Sequence, residues 1–497
     1  MSSFSIEISL AVTGVLLLAL DTFATSLGRK VIPWLAIIAS SVLLVMLLTG
    51  PGVALPDWAA WAKPFYAVDS LAFFYKAFAL VTTIGVLIIG LESDMVTAHY
   101  SSSQSIHSRI GEFYALPLIV CAAMMWMASA NDLVSVFVPL ELMTVTFYVL
   151  VAFTRRSAKA LEAGVKYLIL GALSTGILVY GIAWVYGVTG SLSFEGIAAA
   201  VARPGINTGA LLFGAALLLA GFGFKVGAAP FHVWIPDVYQ GAPTPVTAFL
   251  SVGSKAAGFV VLTRSVAAFT GAGSAIGPQV NMALAVIAAL TIAVGSLAAI
   301  TQTNLKRLLA YSSISHAGFL VLALACGASP KMDISSGGIV AFYLATYLPM
   351  TLLGFLLLAV LRGHGVGEEL KDITGLAKRS PAMALALTIA FASLAGLPLT
   401  AGFFGKMLVF VAAMNQGYLS VVIVAVIGAA AGFYYYFRPI LAVYSACEND
   451  KEKLTWSPLA KVSALVLSLA IIALGVNPNL LQFVLNRAPV VVAAAKK

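Results

Sequence analysis

Apolar runs long enough to cross about 30 Å of hydrocarbon recur from residue 5 to residue 475, and no large polar insertion separates them. Each crossing needs about 20 such residues in a helix that rises about 1.5 Å per residue. The runs fall at 5–27, 31–49, 69–91, 112–129, 131–153, 159–187, 208–229, 244–266, 277–301, 305–326, 336–361, 381–414, 418–444 and 457–475. They predict an all-α polytopic membrane protein of about fourteen helices, with residues 1–497 forming one membrane domain. Composition agrees: 61% hydrophobic and 9% charged residues leave too little polar surface for a soluble globule of 497 residues. The first run carries Glu7 and has no basic stretch ahead of it, so it reads as a retained helix and not a cleaved signal. The residues beyond 475 stay apolar but end in AAAKK, which fits an interfacial tail.

The basic residues are distributed unevenly about these runs. With the N-terminus placed outside, sixteen of the 28 Lys and Arg fall in inside loops or adjoining helix ends, among them Arg29, Lys30, Arg109, Arg155, Arg156, Lys159, Lys306 and Arg307. The outer side receives seven: Lys63, Arg203, Arg264, Lys331, Arg487, Lys496 and Lys497. This bias predicts both termini on the non-cytoplasmic side. It also accounts for most of the net charge of +9, so no nucleic-acid partner is inferred.

Energy-transducing motifs are missing. The chain has no GxxxxGK[ST] loop, no strand followed by GxGxxG and no cysteine cluster for iron and sulfur. Cys121, Cys326 and Cys447 are scattered without a CxxC pair, which points to neither a disulfide framework nor a metal site. The five histidines, His99, His107, His232, His316 and His364, are equally dispersed. The expectation is a chain with no cofactor of its own, whose energy arrives from elsewhere.

Five lysines remain inside the apolar runs: Lys76, Lys166, Lys225, Lys255 and Lys406. A charge at the centre of a membrane helix costs about 2.5–3.5 kcal/mol on insertion scales, which makes each a candidate functional residue. Glu141 is the one carboxylate near the middle of a run, ten residues or about 15 Å into 131–153. Lys255 lies at similar depth in 244–266, so the two can flank one buried polar layer. Glu141 also has a purely structural reading, as an ion pair with a neighbouring helix. Lys166 can snorkel, or pair with Glu162 four residues earlier on the same face. Lys76 is shallow in its run and reads as structural.

Two lysines sit beside helix breakers. In GFGFKVGAAP, residues 221–230, Gly227 and Pro230 follow Lys225; in SLAGLPLTAGFFGKM, 393–407, Gly396, Pro398, Gly402 and Gly405 precede Lys406. Interrupted helices in two related halves mark binding sites in many transporters, although glycine and proline are also common in membrane helices generally. The order of lysine and proline differs between the two stretches, so they share a device and not an alignable repeat. An ammonium offers three donors and no acceptor, so it cannot coordinate sodium, while burial makes it readier to release a proton. Lysines headed by one glutamate therefore suit protons. His232, in PFHVWIPD, and His316, in YSSISHAGF, are candidate relays near neutral pH or hydrogen-bonded structural groups.

At KVGAAPFHVWIPDVYQGAPTPVTAFLSVGSK, residues 225–255, the chain resembles the antiporter-like membrane subunits of proton-pumping NADH:quinone oxidoreductase, respiratory complex I. DVYQGAPTPVTAFLS (237–251) resembles the subunit N branch, and LKRLLAYSSISHAGF (305–319) and GLPLTAGFFGKM (396–407) agree with it. The resemblance implies two inverted five-helix repeats, 112–266 and 277–444, each with a discontinuous helix, in 208–229 and 381–414. It implies that Glu141 and Lys225 form the charge pair of a first half channel with Lys166 beside them. Lys255 would bridge to the second half, and Lys406 would exchange protons with the outer side. Quinone reduction would occur elsewhere in the complex, in a bacterial inner membrane. The implied neighbours are subunits M and K and the lateral helix of subunit L; the long terminal extension that marks subunit L is absent here. Two other readings stay open: a subunit of a multisubunit cation/proton antiporter, and a membrane spacer that passes no protons.

Overall fold

Helix ends in this chain are set by residues that satisfy orphaned backbone donors or adopt left-handed backbone. Asp132 accepts from the amides of Val134 and Ser135 while the Ser135 hydroxyl bonds back, a reciprocal cap that starts one membrane helix sharply. Ser157, Asn207, Asn304, Ser335 and Ser457 cap five others. The computed structural model describes residues 2–23, 26–50, 55–93, 110–327, 334–446 and 453–481. His99, His107, Cys447 and the tail beyond residue 481 lie outside the described residues.

The principal helices are α1 (Ser3–Phe23), α2 (Ser26–Thr49), α3 (Ser70–Leu91), α4 (Ile110–Ser129), α5 (Leu133–Val151), α6 (Ala158–Thr189) and α7 (Thr208–Val226). There follow α8 (Ile235–Gly241), α9 (Thr244–Thr270), α10 (Gly277–Ile300), α11 (Leu305–Ala325), α12 (Ser336–Gly363), α13 (Pro381–Ala395), α14 (Ala401–Asn415), α15 (Leu419–Tyr444) and α16 (Pro458–Val476). Among the described residues there is no strand, only three isolated bridges. Thirteen of these helices are long and apolar enough to cross a membrane, and they coincide with thirteen of the fourteen runs. The remaining run, 381–414, is divided between α13 and α14, each too short to cross alone. The fold is thus polytopic and all-α, as its hydropathy predicts.

Burial sorts the helices into centre and periphery. α9 is buried along its whole hydrophobic window, and α11 and α12 over 94% of theirs, whereas α1, α2, α6, α15 and α16 keep broad apolar faces on the outside. α9, α11 and α12 therefore form the axis against which the other helices lean. Lysines on that axis and on the two broken helices point inward.

The breaks are local and explicable. α7 ends at Gly227, whose φ of 77° suits a residue without Cβ, and the amides of Gly227 and Ala228 return to the Gly223 carbonyl. α13 ends the same way at Gly396, φ 90°, with the Leu397 amide returning to Ala392. α9 carries a third irregularity, a π turn over Leu250–Ser254 immediately before Lys255. Such wide turns recur at functional positions because they displace the helix register by one residue.

Candidate functional site: a line of buried lysines

Lys225 is the last-turn residue of α7 and is buried. Its ammonium donates to the Thr144 hydroxyl of α5 at 2.5 Å. Glu141 lies one turn earlier on α5, half-buried, and accepts instead from the Thr175 hydroxyl of α6 at 2.7 Å. The two members of the expected Glu141–Lys225 charge pair thus bond different threonines, and Glu141 stands one turn of α5 before the hydroxyl that receives the ammonium. Lys166 does not stand beside them in the buried layer. Its side chain is 42% exposed and bonds Glu162 at 2.7 Å, the i, i+4 pairing expected from spacing, and Asp237 at 2.8 Å.

Lys255, just past the π turn, rests on Ser313 of α11, donating to its carbonyl at 2.5 Å and to its hydroxyl. Ser251, one turn earlier, bonds the Tyr347 hydroxyl at 3.0 Å. Lys406 lies on α14 but folds back over the break, donating to the carbonyls of Leu394 and Ala395 at 2.9 and 2.8 Å. Those carbonyls end α13 and have no intrahelical partner, and a cation is favoured at a helix C-terminus. The break thus makes the binding position for its own lysine.

His316 occupies the gap between Lys255 and Lys406. On α11, Ser313, His316 and Phe319 recur every third residue and share a face. Lys255 touches the first, and the Lys406 ammonium lies 5.8 Å from the ring centroid of the last. The imidazole bonds the Tyr343 hydroxyl at 2.6 Å through Nδ1 and the Tyr436 hydroxyl at 3.1 Å through Nε2. His232, by contrast, lies in the turn after α7, half-buried, and its buried Nδ1 has no partner. Burial pushes its imidazole below the ordinary histidine value.

Three charged clusters lie outside this line. Lys76 is fully buried and pairs with Glu7 of α1 at 2.6 Å, with Tyr66 bonding both. That pairing supports its structural reading. Arg264, expected in an outer helix end, is instead buried in α9 and grips Asp69 through two nitrogens at 2.8 and 2.9 Å and the Ala128 carbonyl. Lys306, expected at an inner helix end, is buried against Glu368 at 3.0 Å. Among the described residues no group of three or more His, Cys, Asp or Glu is placed to hold a metal ion, and Cys121 and Cys326 are free and buried.

Sequence reasoning did not find Thr144, Thr175, Ser313, Tyr343 or Tyr436. Ser313 had a usable signal, its three-residue spacing from His316. The tyrosines had none, since a single sequence does not say which helices meet.

Comparison with known proteins places this geometry in a family. The family model for the transmembrane region of NADH:quinone oxidoreductase and Mrp antiporters matches residues 130–432, more than half of the chain. NADH-quinone oxidoreductase subunit N of Trichlorobacter lovleyi is 39% identical over 468 residues, covering 93% of this chain and 90% of that one. Subunit N of Moorella thermoacetica is 36% identical over 491 residues, covering 97% of each. Among solved structures, respiratory complex I from Thermus thermophilus with bound aureothin contains a chain with a TM-score of 0.76 and 34% identity, covering 96% of this chain and 98% of that one. The Mrp complex from Dietzia sp. shares the fold, with a TM-score of 0.79 at 19% identity over 98% of this chain and 96% of that one. The chain therefore belongs to the subunit N family of NADH-quinone oxidoreductase, antiporter-like membrane subunits of respiratory complex I.

Proposed function

We propose that this chain translocates protons within NADH:quinone oxidoreductase, passing them through Lys225, Lys255 and Lys406 in series while the charge of Glu141 biases Lys225. One observation carries the reading. The three lysines are buried, and their recorded hydrogen bonds go only to neutral oxygens: a threonine hydroxyl, a serine carbonyl and hydroxyl, and two helix-end carbonyls. Among the described residues none of them forms a salt bridge, unlike Lys76 and Lys306. An ammonium kept in a bilayer without a counter-ion is costly and is not explained by structural pairing. His316, bonded by two tyrosines between Lys255 and Lys406, is the relay in this reading. His232 stands at the first break with an unpartnered nitrogen, and Lys166 serves the water-facing side.

The two breaks belong, in the same reading, to the repeats 112–266 and 277–444. The chain needs no cofactor of its own; quinone reduction elsewhere in the complex drives it through neighbouring subunits M and K, with the lateral helix of subunit L alongside. It lies in a bacterial inner membrane with both termini outside the cytoplasm, as the basic-residue bias favours.

The test is the proton-to-electron ratio of the intact complex in proteoliposomes, wild type against Lys225→Ala at equal subunit content. A lower ratio, or a joint loss of turnover and pumping, is expected. Unchanged pumping in a fully assembled complex overturns the reading and favours a spacer. The shared fold with an Mrp complex supports one alternative, a cation/proton antiporter subunit. Co-purification with redox subunits separates the two.

A further inference from the structure

Asp237 has a role that the line of lysines does not supply. It sits in α8, the short helix after the first break, 12 residues after Lys225 and 18 before Lys255. Its Oδ2 accepts from Lys166 of α6 at 2.8 Å and its Oδ1 from Arg307 of α11 at 2.7 Å. One carboxylate thus ties together two helices that are distant in sequence. Gln240, one turn later, accepts from the same guanidinium at 3.1 Å.

The remaining contacts of α8 point the same way. Trp234, at its start, stacks on Tyr167 of α6 at 4.7 Å between centroids and donates to the Phe224 carbonyl at 3.0 Å. The Tyr239 hydroxyl lies 3.4 Å from the Ser313 hydroxyl, the group that Lys255 contacts. A seven-residue helix has little stability of its own, so these side chains fix where it lies. Its position in turn sets the path of the chain from Lys225 to Lys255.

The clasp is partly exposed. A cavity of about 150 Å³ lined by Lys159, Glu162, Asp237 and Gln240 opens beside it, with room for about five waters at ~30 Å³ each. The Asp237 side chain is 35% exposed. Burial opposes its ionisation, but the hydrogen bonds from Lys166 and Arg307 outweigh that and hold its carboxyl below the usual carboxylate range. The charged groups around it are Lys166 and Arg307 in contact, with Glu162 and Lys159 across the cavity.

We propose that Asp237 is a positioning residue of the proton path: by clasping Lys166 and Arg307 it holds α8 in the place that keeps Lys225 and Lys255 in working register. This rests on the proton-translocating reading above.

The test compares Asp237→Asn and Asp237→Glu in the intact complex, reconstituted in proteoliposomes at matched subunit content. Hydrogen–deuterium exchange over residues 235–241 reads the clasp, and the proton-to-electron ratio and coupled turnover read the path. Asp237→Asn is expected to speed exchange there roughly tenfold, the size of one charge-assisted hydrogen bond, and to lower coupled pumping several-fold, with Asp237→Glu recovering both. Unchanged exchange in Asp237→Asn overturns the clasp. Faster exchange with undiminished pumping overturns the positioning role. If Asp237→Asn does not assemble, Arg307→Gln leaves Asp237 its Lys166 partner and takes the same two readings. Undiminished pumping in Lys225→Ala identifies a failure of the broader reading, while exchange over 235–241 still reports on the clasp.

Discussion

Lys225 bonds Thr144 at 2.5 Å, one helical turn beyond Glu141 on the same helix. The hydroxyl that receives the ammonium also donates to the Leu140 carbonyl at 2.6 Å, so its lone pair is aimed at the lysine by the helix itself. Glu141 is occupied by Thr175. The carboxylate thus stands one turn from the lysine's acceptor and not on the lysine, and the threonine sets where the ammonium rests.

Thr144→Val keeps the shape of the side chain and removes the acceptor. Coupled turnover of the assembled complex is expected to fall about tenfold or more, since a hydrogen bond to a charged group carries about 1.5–3 kcal/mol. Thr144→Ser, which keeps the hydroxyl, is expected to stay within about threefold of wild type. Equal rates for the two variants at equal assembly would show that the contact does not matter.

Much of the fold was legible because the bilayer imposes one length on every crossing. Thirteen runs coincide with helices, and the breaks at Gly227 and Gly396 were visible as glycine and proline beside lysine. What stayed hidden was partnership. Glu7 and Lys76 are separated by 69 positions and Arg264 and Asp69 by 195, and nothing in either local sequence points to the other. Depth along a helix was also a poor guide to burial: Arg264 and Lys306 sit near helix ends, where snorkelling to water is the default, yet neighbouring helices bury both. Lys166 lay deeper in its run and is the exposed one.

The Glu7–Lys76 pair lends itself to a double-mutant cycle. Both side chains are buried, so removing one partner leaves an uncompensated charge and costs about 3–5 kcal/mol, whereas replacing both with apolar groups is often neutral. Glu7→Leu and Lys76→Met should each lower the thermal midpoint of the chain in nanodiscs, and the double variant should recover most of the loss. Proton pumping by the double variant is expected to stay near wild type, because the pair lies outside the line of lysines. Additive losses would contradict the pairing.

Gly396 combines a left-handed backbone with close approach to Lys406. Its φ is 90°, and a Cβ placed there meets the Lys406 Cδ at 3.1 Å. Gly396→Ala should cost about 1–2 kcal/mol in backbone strain. It should also push the ammonium off the carbonyls of Leu394 and Ala395, so activity is expected to fall further than stability does. Measuring coupled turnover beside the thermal midpoint checks this, and Gly402→Ala is a poor control because its own Cβ meets the Ser393 carbonyl.

Glu368 gives the chain a pH-dependent fastening. Its carboxylate accepts from the buried Lys306 at 3.0 Å, and the loop carrying it is sewn to the start of α11 by the Leu305 amide bonding the Glu368 carbonyl at 2.7 Å. Burial works against ionisation of Glu368, but the charge and hydrogen bond of Lys306 prevail and hold its carboxyl below its ordinary value of 4.5. A carboxyl lowered by folding adds stability that is complete above the unfolded value and is lost as pH falls through the folded one. Wild type in nanodiscs should therefore exceed Glu368→Gln by about 1–3 kcal/mol at pH 7, the range for losing a charge-assisted hydrogen bond. The two melting curves should begin to converge as the pH falls below about 4.5, the ordinary value that the unfolded carboxyl keeps, and meet once it falls through the lower folded value. Other carboxylates titrate in both proteins and cancel in the difference, so a gap that stays constant down to pH 3 would mean that Glu368 fastens the loop by shape and not by charge.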